Sequence, residues 1–197
     1  MDRYSHTQVD TDLSTGNLRD HFLIAMPGMH GSSFAQTLIY LCDHNENGAM
    51  GFTLNYPMSL TLGDIFAQLG LQDSANLGDQ TVLAGGPVQM ERGFVLHSGS
   101  SWWQTTLRVT PDVSVTASRD ILEALGEGRG PQEFILALGY AGWSAGQLEE
   151  EIAANAWLTV PADKHILFQT PVEQRWSAAT HHLGFDFNLI STTVGHA

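Results

Sequence analysis

The chain of 197 residues has one cysteine and only eight basic residues, and both shortages restrict what it can be. A single cysteine allows no internal disulfide, which fits a reducing compartment. Eight Lys and Arg against 21 Asp and Glu leave a formal net charge of −13 with histidine neutral. Nucleic-acid binding draws much of its affinity from Lys and Arg neutralising phosphates, so this polyanion would be repelled by DNA. The bases (Arg3, Arg19, Arg92, Arg108, Arg119, Arg129, Lys164, Arg175) are scattered rather than clustered. Direct nucleic-acid binding and docking on an anionic membrane are both disfavoured. No apolar run approaches the ~18 residues of a membrane span. Met1–Asp10 has neither the basic stretch nor the apolar stretch of a secretory signal. The expectation is a cytoplasmic protein. The histidines lack H-x-x-x-H spacing and there is no C-x-x-C, so neither a metal site nor a cofactor has sequence support.

What is present reads as one α+β domain over residues 16–197, preceded by a flexible polar tail over 1–15. His21–Met26 and Thr37–Cys42 are apolar enough for buried strands, and Asn47-Gly48 fits the two positive-φ positions of a type I′ hairpin turn into Ala49–Asn55. Leu62, Ile65, Phe66 and Leu69 recur at helical spacing, with Thr61 placed to cap the start and Gly70 the end. Strands follow at Thr81–Ala84, Gly93–His97, Thr105–Val109 and Val113–Thr116, then a helix around Ile121–Leu125 with Ser118 as its cap. Phe134–Tyr140 reads as a strand, stopped by a glycine-aromatic corner that restarts as a helix over Ala145–Asn155. Ser144 with Gln147 fits a capping box there, and Glu149-Glu150-Glu151 should be solvated. A short strand at Trp157–Val160 and a last helix started by Thr170-Pro171-Val172-Glu173 and ended by Gly184 complete the pattern. Strands do not alternate regularly with helices, so mostly antiparallel sheets with three to four peripheral helices are expected.

Three segments resemble chemistry. Gly142-Trp143-Ser144-Ala145-Gly146 matches the G-x-S-x-G of a nucleophile elbow and lies between a strand and a helix, with Asp163 or Asp186 and then His196 in hydrolase order. Against catalysis by Ser144 stand its capping position and the place of His196 one residue from the end. Cys42-Asp43-His44 puts a thiol two residues from an imidazole on a strand, where i and i+2 share a face, so His44 could activate Cys42. The continuing hydrophobic run favours a buried cysteine instead. Gly85-Gly86-Pro87 follows a strand but lacks a Walker lysine, which makes it a tight turn before a phosphate cradle.

Several motifs together resemble the AlgH/YqgE family of bacterial proteins. They are Gly16-Asn17-Leu18 with Phe22–Pro27, Leu41–His44 with Gly48–Gly51, Gly85–Val88 with Arg92–His97, Gly139–Trp143 with Gly146–Glu149, Glu151, Ile152, Asn155 and Trp157-Leu158, and the terminal Gly195-His196-Ala197. The resemblance implies an α+β fold of coiled, bifurcated sheets with peripheral helices. It also implies the label of transcriptional regulator, attached through an association with alginate control, and no reaction. The family pattern does not require serine at position 144. The chain departs at His30-Gly31-Ser32, where relatives often carry an acidic residue.

The leading expectation is a non-enzymatic protein that binds a small molecule or a protein partner, any effect on transcription being indirect. The glycine-aromatic loops would converge on one surface built from Met26, Pro27, Cys42, His44, Gly85, Gly86, Arg92, Tyr140, Trp143, Gln147 and Asn155. Tyr140 or Trp143 would stack on a ligand, Arg92 would pair an anion, and Gln147 and Asn155 would hydrogen-bond polar groups. Glu149 would secure the corner by bonding backbone amides, and Trp143 is expected to be partly exposed or to cap a pocket. The alternative is hydrolysis through Ser144 or thiol chemistry at Cys42.

Overall fold

The structure, a computed structural model, describes residues 16–25, 36–99 and 102–184. Within these the fold is α+β: ten strands in one coiled, branched assembly with five short helices around it, one more than the sequence pattern suggests.

Strands β1 (His21–Ala25) and β2 (Leu38–Asn45) are apolar on both faces, and both faces are used. Phe22, Ile24, Leu38 and Tyr40 enter the main core. Leu23, Ala25, Ile39 and Leu41 enter a second core on the opposite side. Such two-sided burial explains why these strands read as continuous hydrophobic runs instead of alternating ones. β2 turns into β3 (Gly48–Thr53) with Asn45 facing Gly48. The two linking residues are therefore Glu46 and Asn47, not Asn47-Gly48, and neither has positive φ. The turn is closed by the Asn45 side chain, which accepts the Asn47 N–H at 2.8 Å.

The remaining strands are β4 (Pro57–Thr61), β5 (Thr81–Ala84), β6 (Val88–Ser98), β7 (Thr106–Arg108), β8 (Val113–Thr116), β9 (Phe134–Ser144) and β10 (Trp157–Pro161). Their order is β10-β1-β2-β3-β9-β6-β8-β7, with β5 joined in parallel to β9 and carrying β4. β9 is the branch point. One edge pairs with β6, while the other pairs first with β5 at Ala137–Leu138 and then with β3 at Ala141–Ser144. At the fork stands Gly139, with φ +71. Before it, Ile135 and Ala137 face the main core; after it, Tyr140 faces that core while Ala141 and Trp143 face the second one. A residue in this conformation inverts the in-out parity of a strand, as a bulge does. The glycine-aromatic segment is thus strand throughout: β9 continues to Ser144 instead of stopping at Tyr140.

Helix α1 (Leu62–Leu69) is built as its sequence prescribes, with Thr61 and Asp64 forming a reciprocal capping box and Gly70 in the left-handed region at the end. With α2 (Arg119–Gly126) it covers a third core through Leu62, Phe66, Ile121 and Leu125. Ser118 stands at the head of α2 but bonds Asp120 instead of a helix amide. Helix α3 (Gln147–Ala153) covers the second core through Leu148. Its cap is Gly146, not Ser144, because the strand takes Ser144 into its last pair with Gly48. Half of the capping box survives, since Gln147 Oε1 accepts the Ser144 N–H at 3.0 Å. Helix α4 (Lys164–Phe168), which the sequence pattern did not indicate, is capped by Asp163, and α5 (Arg175–His182) follows a single 3-10 turn at Val172–Gln174. The acid offered as a triad member, Asp163, is therefore engaged with the amides of His165 and Ile166.

Candidate functional site

Two recesses open on either side of the last four residues of β9. The first, about 410 Å³, is walled by Asp43 and the β2–β3 hairpin, by Val88, and by Tyr140, Gly142 and Trp143. The second, about 310 Å³, lies between β9 and α3 and is lined by Pro87, Ala141, Gly142, Trp143, Gln147, Glu151, Ala156 and Trp157. Both fall at the small end of the roughly 300–1,000 Å³ typical of ligand clefts. Gly142 and Trp143 belong to both. A third hollow of about 250 Å³ adjoins across Tyr140 and contains Met50, Gln89, Arg92 and Phe94.

Backbone contact between glycines brings these walls together. Gly85 donates its N–H to the Leu138 carbonyl at 2.8 Å, and Thr53 donates to the Gly85 carbonyl at 2.9 Å. A Cβ on Gly86, whose φ is +157, would collide with the backbone of Tyr140 and Ala141. The Gly85-Gly86 pair therefore crosses β9 at its fork with no room for a side chain. It delivers Pro87 to one recess and Val88 to the other. These glycines position the walls, and the Gly85 amide is spent on the Leu138 carbonyl.

The floor of the second recess is a carboxylate held by two indoles. Glu151 Oε2 accepts the Nε1–H of Trp143 at 2.9 Å and of Trp157 at 2.7 Å, and Oε1 accepts the Gln147 amide at 3.0 Å. The two indoles are set nearly perpendicular, centroids 6.2 Å apart at 80°. Glu151 is half-buried and is not the solvated residue the acidic run suggested. Trp143 is 8% exposed, so it walls the recesses from inside the protein. Glu151 and Trp157 stand in the family motif, but sequence reasoning did not offer them as site residues. The available signal was the i, i+4 spacing of Gln147 and Glu151, followed by an indole.

The other candidates stand as follows. Cys42 is fully buried, and burial pushes its thiol well above its ordinary pKa. It is the extra residue of a bulge, with Leu41 facing Gly51 and Asp43 facing Met50. The bulge resets the alternation, so Cys42 faces the main core while His44 turns to the opposite side. There His44 Nδ1 accepts the Leu18 N–H at 2.9 Å, which leaves Nε2–H to donate to Glu149 at 2.8 Å. Glu149 thus secures α3 through an imidazole, and its own amide together with that bond holds its carboxyl below the usual range. Ser144 is exposed, and its hydroxyl donates to Gln147 Oε1 at 3.2 Å. No histidine bonds it among the described residues. Arg92 lies over the Phe94 ring at 5.3 Å in the third hollow, separated from Trp143 by Tyr140. Asn155, with φ +58, closes α3 in the left-handed region, where the Ala156 N–H reaches back to the Glu151 carbonyl. Met26, Pro27, His30, Asp186 and His196 lie outside the described residues. Among the described residues no group of three His, Cys, Asp or Glu could hold a metal ion. No described helix is long and apolar enough to cross a membrane.

The branched α+β fold is one that other proteins share. A family model described as AlgH-like matches residues 22–188, and this chain belongs to that family. It is 60% identical to a UPF0301 protein of Saccharophagus degradans, over 92% of this chain and 89% of that one. It is 51% identical to a UPF0301 protein of Chromobacterium violaceum, over 92% and 98%. The solution structure of the AlgH protein from Pseudomonas aeruginosa superposes with a TM-score of 0.78 at 44% identity, covering 100% of both chains. Protein DIP2367 from Corynebacterium diphtheriae shares the fold at a TM-score of 0.71 and 19% identity, over 90% and 93%.

Proposed function

We propose that this chain is a non-enzymatic binding protein that takes a small organic molecule into the recesses flanking Gly142 and Trp143. One observation carries the reading: four separate segments (the β2–β3 hairpin, Pro87-Val88, the end of β9, and α3 with the start of β10) meet around two hollows joined by the same two residues. Catalysis has no comparable support. Cys42 is sealed in the core, and the Ser144 hydroxyl bonds an amide oxygen instead of a base.

Any influence on transcription is then indirect and exerted from the cytoplasm. Arg119 is paired with Glu123 and Arg129 with Glu127, and Arg175 is buried against backbone carbonyls, so three of the eight bases are already engaged.

The test is a thermal-shift screen of metabolites against the protein and against a Gly142→Val, Ala156→Leu variant that fills both recesses. A ligand that binds only the native state raises the melting temperature by mass action. Stabilisers of the parent chain should lose their effect in the variant. Stabilisers acting equally on both proteins would place binding elsewhere and end the reading.

A further inference from the structure

We infer that the recess between β9 and α3 recognises a methylated ammonium group on a small molecule, an assignment that rests on the recess being a ligand site at all. Among the described residues Glu151 is the only ionisable side chain lining the hollow, so a ligand there meets a negative field. The whole chain adds to that field with its net charge of −13.

Shape and hydrogen bonding then narrow the class. Trp143 and Trp157 both line the hollow and pack against each other edge to face, centroids 6.2 Å apart at 80°. The face of an indole attracts cations more strongly than any other side-chain ring. The rest of the lining is Gln147, whose amide is engaged with Ser144 and Glu151, and the small apolar Pro87, Ala141, Gly142 and Ala156. A carboxylate has about four acceptor positions, and three N–H groups already occupy Glu151. Its charge is present while its hydrogen-bonding capacity is nearly used. A primary ammonium needs three acceptors and would be left short of them. A trimethylammonium group needs none; it offers diffuse charge and apolar methyls, which suit a mostly apolar, indole-lined hollow beside a saturated carboxylate.

Choline and its neutral carbon isostere, dimethylbutanol, have nearly the same shape and differ in charge, so titrating both into the full chain isolates the inference. Binding is followed through the indole N–H resonances of Trp143 and Trp157. The expected result is saturable movement of both resonances by choline, with the isostere weaker by about tenfold. Glu151→Gln keeps an acceptor for the indoles while removing the charge. It should weaken choline by about tenfold more than it weakens the isostere. Equal affinity for the two compounds in the parent chain would overturn the cation assignment and leave the recess as an apolar ligand site. The assignment fails equally if choline moves neither resonance, and the metabolite screen then decides separately whether the recess binds anything. The comparison within the parent chain stands even if the variant does not fold.

Discussion

Gly139 and Gly86 touch through their backbones: a Cβ on Gly139 would collide with the Gly86 carbonyl oxygen and stand 2.9 Å from that of Val88. Gly139 also has φ +71, a region that costs other residues about 1–2 kcal/mol. Gly139→Ala therefore combines backbone strain with a collision that only main-chain movement could relieve, and should lose more than about 3 kcal/mol. Gly146 has φ +78 but nothing within 4 Å of a Cβ. Gly146→Ala carries the strain alone and should lose about 1 kcal/mol. Urea denaturation measures both. Similar losses would show that the crossing at the fork is not interlocked.

His97 is fully buried, with Nδ1 donating to the Ser98 carbonyl at 3.2 Å and Nε2 accepting the Thr116 hydroxyl at 2.9 Å. Burial outweighs the Ser98 bond and holds its pKa below 6.5. The native state thus binds its proton less readily than the unfolded chain does. Stability from this group is complete above about pH 6.5 and falls as the pH drops toward the lower native value, where the loss levels off. Urea midpoints taken between about pH 7.5 and 5 should decline in the parent chain. In His97→Gln they should decline less, from a lower starting stability. Identical slopes would remove His97 from the account.

Cys42 should be chemically silent in the folded protein. Its thiol has no solvent access and forms only a long contact of 3.9 Å with the Tyr40 carbonyl. Labelling by a thiol-reactive disulfide should then follow unfolding, at least about a hundredfold slower in buffer than in denaturant. Rapid native labelling would show that the β2 bulge opens and would revive thiol chemistry there.

The Leu18 amide is held by His44, and the same ring grips α3 through Glu149. Replacing His44 with Phe keeps a ring and removes both bonds. Hydrogen exchange at Leu18 should accelerate by about tenfold or more, the equivalent of one lost hydrogen bond. Exchange in the β8 interior should stay slow, because that strand pairs with β6 and β7 far from this contact. A uniform rise across both segments would signal global destabilisation instead.

Legibility in the sequence tracks how local each cause is. The α1 helix is readable to the residue because Thr61, Asp64 and Gly70 act within a few positions of one another. The apolar runs of β1 and β2 announce two-sided burial for the same reason. Parity is not readable. A bulge at Cys42 and a left-handed glycine at position 139 each flip the faces of the residues beyond them, and neither follows from spacing. The glycine-aromatic segment stands out in the sequence, yet its cause lies in Gly85-Gly86 more than 50 positions earlier, a tertiary contact. Glu151 escapes notice because an acid in a run of three reads as solvated; only the fold brings two indoles to it.

Glu151 satisfies two indoles that would otherwise keep buried N–H groups without acceptors, and the cost of removing it follows from that. Trp143 and Trp157 are 8% and 4% exposed, so water replaces the lost carboxylate poorly. A buried donor left unsatisfied costs about 1–3 kcal/mol. Glu151→Ala strands two, which sets an expected loss of about 2–6 kcal/mol, with a change in indole emission as the pair loosens. Glu151→Gln retains one carbonyl oxygen and should lose about 1 kcal/mol. Trp157→Phe removes one donor together with its need for an acceptor. Its cost should therefore shrink by about 1 kcal/mol when made in the Glu151→Ala background, the sign of direct coupling in a double-mutant cycle. Additive losses in urea denaturation would mean that the carboxylate and the indole stabilise the fold independently, and the floor of the recess would then have to be assigned to packing alone.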